Sequence, residues 1–230
     1  MLGLRTLMKK IVTSELARKE RWEFEWQRDE WVSLYIQPHN KAKVLDYWNG
    51  YRHLNEIMAL TGINDASRIL DVGCGISSVL HYLPGLRYGI DPLADRYKTV
   101  YQYPDDIDIR QSYGESLPFA NDMFDVVFCS NCIDHTSDAT KTILEIKRVL
   151  KPQSFFVLTC EVFEKDLGKR NDAHPYSMTL ENLKALVTDF STVAHWDSPW
   201  IGLRNYVKGE PGSNQREHVF LLQKSSHTES

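Results

Sequence analysis

The residues best placed to do chemistry lie in Arg68-Ile-Leu-Asp-Val-Gly-Cys-Gly-Ile-Ser-Ser-Val-Leu80, where an apolar run enters a turn containing Gly73 and Gly75. Without a Cβ, these two positions allow a sharp turn and let the main chain approach a ligand closely. Amides at the start of a following helix then face that ligand. Twenty positions after Asp71, the run Leu86-Arg-Tyr-Gly-Ile-Asp91 ends in a carboxylate followed by Pro92. A carboxylate there can accept both hydroxyls of an adenosine ribose, which serves a nicotinamide or a methionine-derived cofactor equally. Ser78 stands at the third glycine of the dinucleotide fingerprint, a departure that lowers the nicotinamide reading.

Two further blocks separate the alternatives. Gly114-Glu-Ser-Leu-Pro-Phe119 precedes Phe124-Asp-Val-Val-Phe-Cys-Ser130, and Arg148-Val-Leu-Lys-Pro152 leads into Phe155-Phe-Val-Leu-Thr159. With the stretch at 68–80, this series resembles the class I S-adenosylmethionine-dependent methyltransferases, especially the group containing the ubiquinone and menaquinone biosynthesis enzymes. The resemblance covers about residues 65–160. It implies S-adenosylmethionine as cofactor and a seven-stranded, doubly wound Rossmann-like α/β sheet with an antiparallel last strand. Gly73, Cys74 and Gly75 would line the methionine part, Asp91 would bind the ribose, and Gly114, Glu115 and Ser116 would lie beside the adenine, with Asp71 and Pro92 as further cofactor-binding residues. Cys129, Ser130 and Asn131 would run past the sulfonium. Tyr113 replaces an acidic residue common in relatives, and Lys151-Pro-Gln-Ser154 replaces their Lys-Pro-Gly-Gly turn.

Asn131-Cys-Ile-Asp134-His135 follows the fourth strand at the sheet's carboxyl edge, where open α/β folds place ligands. His135 is the leading candidate general base, since imidazole titrates near neutrality; as an alternative it only caps or packs. Asp134 is a candidate acceptor contact. No Asn-Pro-Pro-Tyr-like or Asp-Pro-Pro-Tyr-like sequence occurs here, against the amino-methylating enzymes of nucleobases and glutamine. In Asp172-Ala-His-Pro-Tyr-Ser-Met178, His174 is a second candidate base and Tyr176 a candidate acceptor contact, unless the segment is a plain loop. Cys129, Cys132 and His135 have a metal-like spacing but no evident fourth ligand, so no metal is expected.

Positioning these groups requires strands at Arg68–Val72, Leu86–Asp91, Ile107–Arg110, Phe124–Ser130 and Phe155–Thr159, then Ser191–Trp196 and Glu217–Lys224. Helices are expected at about 76–83, 92–101 and 138–150, the last halted at Pro152, and from a Thr179 cap to about Phe190. Two or three aromatic-rich helices fill 14–60, interrupted at Pro38 and closed by a left-handed Gly62. The domain reading is a helical cap or lid over 1–62, a catalytic domain over 63–224 and a loose tail over 225–230. Trp22 and Trp26 share a helix face and can close over a pocket.

The 230 residues suit one domain with an extension. A formal charge of −4 gives no global attraction to nucleic acid, so the expected partner is a small-molecule acceptor. No run approaches the roughly 20 apolar residues of a membrane span. The basic, amphipathic Met1–Val12 could touch a membrane surface but reads more simply as a terminal helix. Four cysteines without a secreted pattern suggest the cytoplasm. The rival readings are a nicotinamide-dependent oxidoreductase and a non-catalytic cofactor-binding module. Acceptor identity and oligomeric state are not encoded legibly.

Overall fold

The computed structural model describes residues 18–35, 37–168 and 174–226. Seven strands form one sheet in the order β3-β2-β1-β4-β5-β7-β6. They are β1 (Arg68–Val72), β2 (Leu86–Asp91), β3 (Ile107–Gln111), β4 (Phe124–Ser130), β5 (Leu150–Val162), β6 (Phe190–Pro199) and β7 (Arg216–Lys224). β1 through β5 pair in parallel, and β7 runs antiparallel between β5 and β6. The doubly wound fold with an antiparallel last strand is therefore as expected.

Alternation along the central strands divides the core. Val126 and Phe128 face one side and Val127 and Cys129 the other, a split repeated by Val157 against Phe156 and Leu158, and by Val219 and Leu221 against Phe220 and Leu222. Such two-sided apolar strands require a helical layer on each face. One layer contains α2 (Lys41–Asp46), α3 (Leu54–Thr61), α4 (Ala94–Tyr97) and α7 (Leu203–Lys208); the other contains α5 (Ala139–Val149) and α6 (Leu180–Leu186). Ahead of them, α1 covers residues 18–35 and includes a π-helical turn at Gln27–Val32. A second π-turn, Tyr47–Tyr51, follows α2. Val44, Tyr47, Trp48, Leu54 and Ile57 share a continuous apolar cluster with Ile69, Val126 and Val157 of the sheet.

Pro38 starts the 3-10 turn before α2, and Gly62 ends α3 at φ +67°, its amide donating to Met58 O. The helices flanking β2 are shorter than expected. In place of 76–83 there is a 3-10 turn, Val79–Tyr82, because Ser78 Oγ accepts the Leu80 amide and Gln27 takes that of Ile76. In place of 92–101 only Ala94–Tyr97 is α-helical, and Thr99 and Val100 close it with i→i−3 bonds. Asp138 caps α5, which ends at Val149, one residue before the expected end at 150, since Leu150 already pairs with Phe124 in β5. Gln153, at φ +61°, sits where the β4–β5 register shifts. Thr179 caps α6 as expected, but the helix stops at Leu186 and Phe190 opens β6. Met1–Val12 and Asp172 lie outside the described residues, as does the tail beyond Ser226.

Candidate active site

β1 and β4 are neighbours although β2 and β3 fill the opposite edge, so the chain reverses direction at the carboxyl end of β1. Ligands bind at such a switch point. A cavity of about 630 Å³ opens there, lined by Asp71, Gly73, Cys74, Gly75, Asp91, Pro92, Gly114, Glu115, Ser130, Asn131, His135 and His174 among others. Twelve of the sixteen residues singled out from sequence thus converge. Of the other four, Cys129 is buried beneath the surface, Asp134 is buried beside His135, Ser116 is exposed, and Tyr176 gives its hydroxyl to Ser137 O at 2.7 Å.

The turn after β1 needs its glycines for separate reasons. Gly73 adopts φ +73°, and a Cβ there would collide with Cys132 Sγ. Gly75 adopts φ +51°, with Gln27 Nε2 only 2.9 Å from where a Cβ would stand. The Gly75 amide donates to Asp91 Oδ2 at 3.1 Å and the Leu93 amide to Oδ1 at 2.8 Å. Burial raises the Asp91 carboxyl to about 6; the two amides pull it down, and Glu23 adds a further upward push.

Asp71, 3% exposed, accepts a hydroxyl hydrogen bond from Ser78 at 2.7 Å. Its Oδ1 is buried without a hydrogen-bond partner. Burial pushes this carboxyl to about 7, against the Ser78 bond and helped by the charge of Asp91. Burial, then the two carboxylates, also push up the Cys74 thiol. Two acids at the strand ends, one with an orphaned oxygen, and a turn closed to any Cβ fit a cationic adenosyl cofactor. They leave an acceptor for an ammonium group and lone pairs for ribose hydroxyls.

Gly114 packs on Thr142 and Val72, where an added Cβ would meet Thr142 Cγ2 at 2.9 Å. Glu115 accepts the amides of Ser137 and Asp138 at 2.7 and 3.1 Å, fastening this loop to the start of α5. Ser130 Oγ accepts from Thr159 at 3.1 Å, and Asn131 adopts φ +51° with a buried, unpartnered Oδ1.

His135 Nδ1 lies 2.7 Å from Glu23 of α1, and Nε2 lies 3.9 Å from Asp134. Burial alone would lower this imidazole, but Asp134 and then Glu23 outweigh it and raise it to about 9. Burial would raise the Glu23 carboxyl; the hydrogen bond and charge of His135, with His174 and Lys19, bring it below its ordinary value. The His174 ring centre is 4.2 Å from that of His135 and 6.0 Å from Trp22, which stacks on Trp26 at 5.9 Å. The Cys129-Cys132-His135 spacing does not become a ligand set. Among the described residues, the metal-capable cluster is instead Asp134, His135 and His174, whose ligand atoms lie within 4.8 Å of one another.

Sequence reasoning missed the residues supplied from elsewhere. Lys19, Glu23 and Gln27 form one stripe of α1: Lys19 donates to His135 O, Glu23 grips the imidazole, and Gln27 accepts the Ile76 amide at 3.1 Å. Their i, i+4, i+8 spacing was visible, but nothing in sequence said which way the stripe would face. Trp31, Trp48, Arg52, Glu161, Trp200 and Arg204 line the far end of the cavity.

Residues 70–158 match the family described as "Methyltransferase domain". "Uncharacterized methyltransferase YcgJ" of Bacillus subtilis is 24% identical over 69% of this chain and 72% of its own length. Other curated relatives are longer; the chain spans 18% of one and 24% of another. Among solved structures, a putative sarcosine dimethylglycine methyltransferase from Galdieria sulphuraria aligns over 90% of this chain and 98% of its own, with TM-score 0.64 and 17% identity. A 1,6-didemethyltoxoflavin-N1-methyltransferase from Burkholderia thailandensis, solved with its substrate and S-adenosylhomocysteine, aligns over 84% and 92%, with TM-score 0.54 and 19% identity. The methyltransferase match over residues 70–158 displaces the nicotinamide alternative. Residues 70–158 thus carry a methyltransferase domain, and together with the fold this supports a class I S-adenosylmethionine-dependent methyltransferase.

Proposed function

We propose that the enzyme methylates a small molecule, held between the strand ends and the Trp22–Trp26–His174 wall. The observation that carries this reading is the shared cavity: the carboxylate of Asp91, anchored by two amides, faces the same space as the aromatic face of α1. When bound, S-adenosylmethionine supplies an electrophilic methyl group and leaves as the neutral thioether. Asp91 would hold its ribose, Asp71 its ammonium group, and Ser130 and Asn131 would border its sulfonium. Gly114 and Glu115 would lie at the adenine, with Ser116 contributing only to the fold of that loop.

The chain's own task is then alignment and exclusion of water, worth roughly 7–11 kcal/mol when reactants are held in line. His135 takes the acceptor proton in its neutral form. Asp134 and Glu23 favour the imidazolium; the positive charge of the cofactor, when bound, would oppose it and favour the neutral base. His174 and Tyr176 shape the loop beside it. A formal charge of −4 argues against a nucleic-acid acceptor. Four free thiols suit a reducing cytoplasm, and no helix among the described residues is long and apolar enough to cross a membrane.

The test is incubation of the enzyme with metabolite extracts and isotopically labelled methyl donor, with products identified by mass. A labelled small molecule, reduced in amount by His135→Ala, is expected. Binding of S-adenosylhomocysteine with no labelled product in any extract would point instead to a cofactor-binding module.

A further inference from the structure

The two ends of the cavity differ in chemistry. Around the strand ends the lining acids are Glu20, Glu23, Asp71, Asp91 and Glu115, matched to a cationic cofactor. The lining also holds Arg52 and Arg204, with Glu161, among Trp31, Tyr47, Trp48 and Trp200; Arg52 pairs with Glu217 of β7 and Glu161 lies on β5, on the other side of β4 from β1 and β2.

Arg52 is 6% exposed and nearly consumed by the fold: Nη2 meets Glu217 at 2.8 Å and Nε donates to Tyr47 Oη at 2.8 Å. Its Nη1 is buried with no hydrogen-bond partner, and so are the indole nitrogens of Trp48 and Trp200. All three line the same cavity. The Arg52 guanidinium lies 5.7 Å from the Trp48 ring centre. Tyr51, its neighbour in sequence, donates to Pro199 O at 2.7 Å and accepts the Ile201 amide at 2.9 Å, clamping both sides of Trp200. Buried donors without partners are costly and rare in folded proteins. Three such donors in one cavity lining, one of them on a guanidinium, match a ligand that brings acceptors; the Glu217 oxygens, also without a hydrogen-bond partner, lie outside that lining.

We infer that Arg52, Trp48 and Trp200 form a subsite for a carboxylate on the methyl acceptor, whose flat, apolar body lies between the surrounding rings. The inference rests on the methyltransferase reading and adds the substrate class: an aromatic or similarly planar acid, anchored by its oxyanion at the end remote from the transferred methyl. Planar bodies bury large area against indole faces, and a carboxylate on guanidinium and N–H donors makes the stronger, charge-assisted kind of hydrogen bond.

Arg52 holds Glu217 in place, so the informative variants are Trp48→Phe and Trp200→Phe, which remove one N–H each and keep a ring. Calorimetric titrations of the intact chain would use benzoate, benzyl alcohol and benzylamine as probes, each with and without S-adenosylhomocysteine. Benzoate is expected to bind about tenfold more tightly than either uncharged or cationic probe, and each Phe variant to weaken it several-fold while the S-adenosylhomocysteine affinity stays unchanged. The inference is overturned if benzylamine or benzyl alcohol binds as well as benzoate, if benzoate gives no heat at millimolar concentration, or if both variants keep wild-type benzoate affinity. Absence of S-adenosylhomocysteine binding with benzoate preference intact would remove the transferase reading and leave the anion subsite standing.

Discussion

The cofactor end and the acceptor end of one cavity are built by different means. At the cofactor end the groups sit at consecutive positions where strands end: Asp71 to Gly75 at the end of β1, Asp91 and Pro92 at the end of β2, Ser130 and Asn131 at the end of β4. Sheet pairing fixes their spacing, Asp71 opposite Gly89 and Phe128. At the acceptor end, Trp22, Trp48, Arg52, His174 and Trp200 come from separate segments and meet only through packing and a buried ion pair. A site of the first kind is conserved by topology, whereas one of the second kind can change its ligand whenever a loop or helix is replaced. On the proposed reading, specificity belongs to the acceptor end.

The largest expected effect comes from dismantling the acceptor end. Glu217, fully buried, is the ion partner of Arg52, and Glu217→Ala strands a cation in the interior. It should lower unfolding free energy by about 3–5 kcal/mol in urea denaturation; a change near zero would mean that water reaches Arg52 freely. Next comes the cofactor end. Gly73→Ala places a Cβ against Cys132 on a positive-φ backbone, and should cost roughly 2–3 kcal/mol of stability and most of the S-adenosylhomocysteine affinity. Unaltered binding would show that the turn can shift without loss.

Much of this contrast follows from what a sequence displays. Strand ends carrying Gly73, Gly75 and Asp91 were legible because local turn chemistry and ligand chemistry coincide there. The seven strands were legible because apolar runs with β-branched residues must lie in a covered sheet. The short helices near β2 were not, because Ser78 and Leu93 take non-helical conformations that delay each helix start. Glu23 was hidden for another reason. A carboxylate on an amphipathic helix looks like any solvated charge until its partner, 112 residues away, is brought against it.

The smallest effect joins the two ends. With His135 raised to about 9, its neutral form grows as pH rises, so kcat/KM should climb from pH 6 to a plateau above 9. Glu23→Gln removes one of the charges that raise it, and the rising limb should move down toward the ordinary imidazole value near 6.5. The same pair stabilises the docked α1 fully below about 6.5, and that contribution is lost as pH passes 9. A limb unmoved by the substitution would detach Glu23 from catalysis.

The most direct measurement is titration calorimetry of the intact chain with S-adenosylhomocysteine at pH 7.5, with NAD as control. One molecule should bind per chain, with affinity falling as pH drops below about 7, where Asp71 and then Asp91 gain a proton, and with no heat from NAD. No binding of S-adenosylhomocysteine at millimolar concentration, or equal binding of NAD, would contradict the assignment of the Gly73–Gly75 turn and Asp91 to an adenosyl sulfonium.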